Sequence, residues 1–329
     1  MGRRGFLAVL AAPAAAAAAT AAGQSEGKGV KRIARVPKPA GDWSRIAPSP
    51  DLPEIGSAPG DVVDHALFRA ANGNWQLWMQ IRDTSVGRLF YRWEGGAEFA
   101  RTDWTPHGIC WRADRDCGES WDTGGQDFVH APHVILNDGR YAMYYGGGPS
   151  PNGGAQIGIA TSTDGITFER VTDEAGRSEA FAGPGYARDP MVIEVDGRYL
   201  MYYAADEDGR GVIALRTAER AYGAPWSDYR VVSQGGLCGT GKADQQCPFV
   251  VFMDGYYYLF KMGASTRYET AVLRSEDPYD FGEEDERLVT VLEASASEVI
   301  EADGRWYISS LIPGYEGVRI RPIEWAIQD

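Results

Sequence analysis

One hairpin sequence recurs along the chain and constrains its fold more than any other feature. Four segments each join a β-rich run, an Asp-Gly turn and an aromatic-rich run, the pattern of a tight hairpin. A fifth and weaker copy, DHALFRAANGNWQLWMQ, carries Asn72-Gly73, the other favoured turn pair. The four stronger copies are HAPHVILNDGRYAMYY, ARDPMVIEVDGRYLMYY, QCPFVVFMDGYYYLF and ASEVIEADGRWYIS.

Further strand-like runs follow the hairpins, for example QIGIATSTDGITFERV after the second copy. Five units of about four strands, without useful helical periodicity, predict an all-β fold, a five-bladed β-propeller. A β-sandwich is the alternative, because hairpins alone do not close a ring. We expect a single propeller domain over residues 61–329, completed by GVRIRPIEW, after an irregular lead-in at residues 23–60 that is rich in Pro and polar groups.

The N-terminus has the sequence of an export signal. Arg3 and Arg4 precede a Phe-Leu pair and an Ala-rich stretch that is too short and too small-chained to span a bilayer. We therefore expect residues 1–22 to be a twin-arginine-type signal peptide and the protein to be secreted or periplasmic. No other apolar run reaches spanning length, so we expect no membrane association after signal removal. A low-complexity Ala run behind a misplaced start is the alternative.

Four cysteines form two close pairs in the sequence, Cys110 with Cys117 and Cys238 with Cys247. In an exported protein this spacing predicts two local disulfides, although four cysteines permit three pairings. Buried free thiols are the alternative. The spacing does not match a CxxC site, so no zinc is assigned.

The formal net charge of the chain is -14, from 32 basic and 46 acidic residues. Because nucleic-acid affinity rests largely on cationic side chains, this balance argues against a nucleic-acid partner. The acidic surface is most simply a solubilising one. We expect a monomer.

The inner strands of a propeller line its central channel, so residues at their starts converge at one end of it. Three of the four histidines of the chain fall at these starts, which predicts a polar ligand site. No cofactor is expected; the histidines leave a structural metal ion open, but their spacing identifies none. Alignment of the repeats places there Asp64, His65, His130, His133, Arg188, Asp189, Gln246, Cys247, Ser297 and Glu298.

Arg188-Asp189-Pro190, together with the repeats APHVI/YAMYYGG and CPFVV/YYYLF, resembles the five-bladed propeller glycoside hydrolases of families 32, 43, 62 and 68. The resemblance runs from about residue 61 to residue 325. It implies a carbohydrate substrate and glycosidic hydrolysis by two working carboxyls, with a third that orients. It further implies that Asp64, offset by one place from the Asp-Pro of the family, is the base or nucleophile and that Asp189 is the orienting carboxylate.

Gln246 departs from the family pattern, because it stands before Cys247-Pro248 where these enzymes carry the glutamate of the general acid. A primary amide has no titratable proton and cannot serve as the acid. We therefore expect Glu298 to be a substitute acid, with Asp244 or a histidine as alternatives. The residues expected to bind substrate are His65, His130, His133, Arg188, Gln246 and Trp121, the last in a loop shared with Trp104 and Trp111.

These features predict an exported glycoside hydrolase that acts on a plant or microbial glycan, with pentose or fructose furanosides favoured. The alternative is a non-hydrolytic carbohydrate-binding propeller that has lost the general acid. A lyase or transferase that uses the histidines is a third possibility.

Overall fold

Five mainly antiparallel sheets make up the part of the chain that the computed structural model describes, residues 32–55, 61–100, 104–119, 126–150, 154–263 and 267–328. The inner strands of the sheets follow one another along the chain, and each belongs to one copy of the hairpin repeat. The predicted all-β, five-bladed propeller is confirmed. Within the described ranges no helix is long and apolar enough to cross a membrane.

The first three sheets are blades I to III. Blade I contains β3 (Val62–Arg69), β4 (Trp75–Thr84), β5 (Gly87–Glu94), β6 (Thr105–Trp111) and β7 (Asp127–Phe128). Blade II contains β8 (His130–Asn137), β9 (Arg140–Pro149), β10 (Ala155–Ser162), β11 (Glu169–Arg170) and β12 (Glu179–Ala182). Blade III contains β13 (Arg188–Val195), β14 (Arg198–Glu207), β15 (Arg210–Ala218) and β16 (Arg230–Gln234).

Blades IV and V complete the ring. Blade IV contains β17 (Gln246–Met253), β18 (Tyr256–Met262), β19 (Thr270–Ser275) and β20 (Leu288–Leu292). Blade V contains β21 (Val299–Ala302), β22 (Arg305–Leu311) and β23 (Gly317–Ile327), together with the N-terminal strands β1 (Arg35–Pro39) and β2 (Ser44–Pro48). Two single turns of 3-10 helix lie at Pro53–Ile55 and Gly236–Cys238.

The Asp-Gly turns of blades II to V have the geometry that the sequence predicts. In each, the Asp has φ between 47° and 51° and the following Gly has φ between 71° and 87°. Positive φ at both central residues defines the type I′ turn, which matches the twist of the flanking strands. This turn therefore fixes the register of each inner strand against its neighbour.

The ring is closed by five hydrophobic clusters, each of which lies between two consecutive blades. On β9, Tyr144 packs with residues of blade III while Tyr145 packs with residues of blade I. On β14, Tyr202 likewise packs with residues of blade IV, and Tyr203 packs with residues of blade II. Because successive side chains of a strand point to opposite faces, each aromatic pair of the repeat fills two different interfaces. A fifth cluster joins blade I to blade V, which excludes an open sandwich.

Part of the segment expected to be an irregular lead-in is regular structure. β1 and β2 both pair antiparallel with β23, the last strand of the chain. Blade V is thus assembled from both ends of the described chain. Residues 1–22, the predicted signal peptide, lie outside the described residues.

The two predicted disulfides are not formed, since all four cysteines carry free thiols. Cys110 packs in the core between blades I and II, and its thiol lies 3.4 Å from the Phe90 carbonyl oxygen. Cys238 packs between blades III and IV, whereas Cys247 faces the channel. Cys238 and Cys247 therefore face different surroundings, and their spacing in the sequence was misleading.

Candidate active site

The inner strands share an irregularity that turns side chains into the channel. Four residues, each seven positions before the Asp of its turn, have φ between 34° and 54°. Positive φ is uncommon for residues other than glycine, and pairing in blades II to IV shifts register at this point. The repeat therefore places equivalent side chains at the same end of the channel. These residues are Ala131, Asp189, Cys247 and Ala296.

A cavity that is partly open to solvent lies at this end and is walled by all five blades. The predicted residues that line it are Asp64, His65, His133, Asp189, Ser297 and Glu298, together with Cys247. The convergence of the inner-strand starts, predicted from the repeat, is thus found in the structure.

Asp64, Asp189 and Cys247 form the polar centre of the cavity, and their donor atoms all lie within 4.8 Å of one another. The Cys247 thiol lies 3.4 Å from Asp64 Oδ1 and 3.7 Å from Asp189 Oδ2. The backbone N–H of Cys247 donates to Asp189 Oδ2 at 3.1 Å. Of the described residues, these three could hold a metal ion, and the histidines do not belong to the group.

Burial and the charge of Asp189 raise the pKa of Asp64 to about 8, against the opposing effects of the Cys247 hydrogen bond and of Arg88 and Arg188. The same surroundings raise the pKa of the Cys247 thiol well above its usual range. Asp64 therefore holds a proton at neutral pH. Asp189 Oδ2 accepts the Cys247 N–H and lies 3.6 Å from Arg188 Nε.

Two arginines flank this carboxyl pair. Arg188 is buried, and its guanidinium donates to the carbonyl oxygens of Tyr186 at 3.4 Å and Ala243 at 3.2 Å. Arg88, on the third strand of blade I, donates from Nη1 to His130 Nδ1 at 2.9 Å. Burial and both guanidiniums hold the pKa of His130 well below its usual value, so that its ring is neutral and accepts this bond.

Glu298 lies at the blade V side of the cavity. Its Oε2 accepts the backbone N–H of Leu67 at 2.7 Å, and its Oε1 lies 3.9 Å from His133 Nδ1. Burial raises the pKa of Glu298. His65 bonds Ser309 Oγ through Nε2 at 2.7 Å, and burial lowers its pKa to about 3. Two predicted histidines and one predicted carboxyl therefore share the inner wall of the cavity.

Gln246 does not line the cavity, although its neighbour Cys247 does. The Gln246 amide nitrogen donates to the carbonyl of Ala243. The position of the expected general acid thus presents no titratable group to the site. Trp104 and Trp111, which belong to the same loop as the predicted substrate-binding residue Trp121, are buried in interblade cores and cannot stack on a sugar. Trp121 itself lies outside the described residues.

Sequence reasoning gave no role to one polar residue of the site and did not predict another near it. Cys247 was aligned with the channel but received no role. Arg88 lies on β5, a strand that the repeat does not mark. Gly87, with φ of 97°, lets β5 approach β7 closely, because a Cβ there would lie 2.2 Å from the Asp127 carbonyl oxygen. Pairing of Arg88 with Phe128 across these strands brings the guanidinium to His130, from where its charge acts on Asp64, and no local pattern signals it.

No protein-family model matches the sequence. The sequence is similar to the arabinan endo-1,5-α-L-arabinosidase A of Aspergillus niger, with 26% identity over 216 residues that cover 61% of this chain and 63% of that protein. The match thus spans less than two thirds of the length of this relative.

Solved structures share the fold over nearly their whole length. A thermostable family-43 glycoside hydrolase has a TM-score of 0.59 and 17% identity, covering 84% of this chain and 92% of its own. An exo-1,5-α-L-arabinanase from a bovine ruminal metagenomic library has a TM-score of 0.59 and 17% identity, covering 84% and 99%. A β-xylosidase has a TM-score of 0.58 and 15% identity, covering 82% and 96%. The chain has the five-bladed propeller fold of family-43 glycoside hydrolases, as the resemblance implied.

Proposed function

We propose that this protein hydrolyses glycosidic bonds in a pentose-containing glycan of plant or microbial origin. The observation that carries the proposal is the pair of Asp64 and Asp189 in a cavity walled by all five blades. Similarity to an arabinanase in sequence, and to an arabinanase and a β-xylosidase in fold, supports a pentose glycan. Those names give no support to the fructose furanosides that the sequence left open.

Hydrolysis of a glycosidic bond needs one carboxyl that gives a proton to the leaving oxygen and an ionised one that attacks or stabilises the sugar cation. Because the raised pKa of Asp64 leaves it protonated at neutral pH, we assign the proton donation to Asp64. Asp189, bonded by the Cys247 N–H, is the ionised partner. This assignment supplies the acid that Gln246 cannot, and it differs from the base role that the resemblance implies for Asp64.

Glu298 is the second carboxyl that can bring a proton to the cavity, because burial raises its pKa as well. Its bond from the Leu67 N–H fixes the orientation of the carboxyl. Glu298→Gln separates the two candidate donors. If Asp64 is the acid, the activity of Glu298→Gln should still fall at alkaline pH, where Asp64 loses its proton.

The test is the release of reducing ends from linear 1,5-α-arabinan and from xylan. Asp189→Asn should lower kcat by about 10² to 10⁴, the usual contribution of such a group. Asp228→Asn, an exposed aspartate outside the cavity, is the matched control and should keep full activity. Circular dichroism checks that both variants fold. Full activity of folded Asp189→Asn would disprove the assignment.

A non-hydrolytic carbohydrate-binding propeller is the second candidate, and Gln246 is the observation that favours it. This function predicts that calorimetry detects binding of arabinan oligosaccharides and that no reducing ends are released over a long incubation. Hydrolysis by the wild-type protein excludes it.

We also propose export of the protein by residues 1–22, on the order of their charged, apolar and small residues. Expression of the full chain in a bacterial host should yield a periplasmic protein shortened near residue 22, as read by N-terminal sequencing. Arg3→Lys with Arg4→Lys should retain the protein uncleaved in the cytoplasm.

A further inference from the structure

The two guanidiniums that flank the carboxyl pair are unequally compensated by carboxylates, and Arg88 is the less compensated of the two. Arg188 is compensated by the Asp189 carboxylate at 3.6 Å and by two backbone carbonyls. Within the described residues no carboxylate lies within 4.0 Å of the Arg88 guanidinium, whose bond goes to a neutral imidazole. Asp64, the remaining carboxyl of the centre, is protonated at neutral pH. Arg88 is therefore a cation without a carboxylate partner close to the carboxyl pair, in a chain whose net charge is -14.

The surroundings of Arg88 hold its side chain ready for a ligand. The guanidinium lies over the Phe128 ring at 4.6 Å, and the Phe128 ring in turn packs edge-on against His130 at 4.1 Å. The bond to His130 uses Nη1 and leaves Nε and Nη2 without a partner among the residues described here. These two nitrogens form the side of the guanidinium that binds a carboxylate through two parallel hydrogen bonds.

An aromatic surface adjoins this cation. The Tyr186 ring lies 6.0 Å from the His130 ring and 4.9 Å under the Arg188 guanidinium. Arg88, His130 and Tyr186 thus form one cluster, supplied by blades I to III, which lies outside the residues that line the cavity. The charge of Arg88 still acts on Asp64. A sugar ring that reaches Asp64 from this side meets a cation with a free planar fork.

We propose that Arg88 binds the carboxylate of a uronic acid residue, so that the glycan acted on at Asp64 and Asp189 is an acidic one rather than a purely neutral pentosan. The inference rests on the proposed function for the place of the sugar, but the anion site itself requires no turnover. A bidentate bond between guanidinium and carboxylate is charge-assisted and contributes more than a neutral hydrogen bond.

The test compares a uronic-acid-substituted xylan oligosaccharide with the same oligosaccharide after its carboxyl group is reduced to the alcohol. The measured quantity is the ratio of kcat/KM on the acidic substrate to kcat/KM on the reduced one, which is independent of the fraction of active protein. We expect a ratio of about ten or more for the wild type. Arg88→Met should bring it close to one, and Arg88→Lys, which keeps the charge but loses the fork, should give an intermediate value.

Arg198→Met is the matched control, because Arg198 is exposed beside the turn at the opposite end of blade III and should leave the ratio unchanged. A wild-type ratio near one, or an equal ratio in Arg88→Met, overturns the inference while leaving hydrolysis intact. If neither oligosaccharide is cleaved, calorimetry replaces kinetics. Tighter binding of the acidic form that is lost in Arg88→Met then supports the anion site although the hydrolase proposal has failed, and equal binding of both forms overturns it.

Discussion

At the scale of single residues, the chemistry of the site follows from two carboxyls that are close together and poorly hydrated. Desolvation and the neighbouring charge of Asp189 together outweigh the two guanidiniums and the thiol that stabilise an ionised Asp64. The donors of the Cys247 N–H and the Arg188 guanidinium are arranged around Asp189, the other member of the pair. A fold whose usual acid position holds Gln246 can in this way still present a proton to a leaving group.

The pH dependence of activity tests this assignment. An acid must be protonated in the free protein, so kcat/KM on neutral arabinan should be level below the Asp64 pKa of about 8 and fall tenfold per pH unit above it. Asp64→Asn should lower kcat/KM by about 10² or more and abolish that limb. Initial rates from pH 5 to 10, with circular dichroism at each pH, make the measurement. If kcat/KM instead rises up to pH 8, Asp64 is the base that the family resemblance implies.

At the scale of strands and turns, the inner hairpins are the part of the fold that sequence predicts best. Their turn residues and aromatic pairs are encoded locally, so the repeats can be aligned from the sequence alone. That alignment correctly placed Asp189 and Cys247 at the channel. Arg88 escaped because its place depends on the pairing of β5 with β7 across a long loop. The disulfides were mispredicted for the same reason, since the direction of the Cys247 side chain is set by the bulge that begins β17 and not by its distance from Cys238.

A turn variant should separate the stability of a hairpin from the chemistry at its far end. Gly197 has φ of 74°, and a Cβ there would meet nothing within 4 Å, so Gly197→Ala adds backbone strain without a clash. We expect the free energy of unfolding to fall by about 1–2 kcal/mol. Gly96→Ala is the matched control, because Gly96 has equally open space but no positive φ.

Both unfolding energies are measured with urea, and kcat/KM is measured on the same samples. Gly197 lies at the end of the blade III hairpin opposite Asp189, so the folded variant should keep wild-type kcat/KM. Equal stability of Gly197→Ala and the wild type would mean that the turn is not held in the strained region.

At the scale of the whole molecule, the ring is held shut by hydrogen bonds between its two ends. β1 and β2 pair with β23, and Ile46 and Ala47 of β2 are buried in the core between blades I and V. Arg35 on β1 also forms an ion pair with Asp254 at the turn of blade IV. Sequence patterns did not reveal these strands, because they are short, rich in Pro and polar groups, and paired with residues almost 300 positions away.

Two truncations test this closure. A chain that begins at residue 32 keeps β1 and β2 and should have the Tm of the longer protein, whereas one that begins at residue 50 loses both strands. The second should melt at least about 5 °C lower, because it exposes one edge of β23 and the core between blades I and V. A synthetic peptide of residues 32–49, added in excess, should restore part of the loss, since strand pairing needs no covalent connection. An unchanged Tm in the shorter chain would show that blade V closes the ring with β21 to β23 alone, and a loss of Tm that the peptide does not reverse would place the effect in misfolding of the truncated chain.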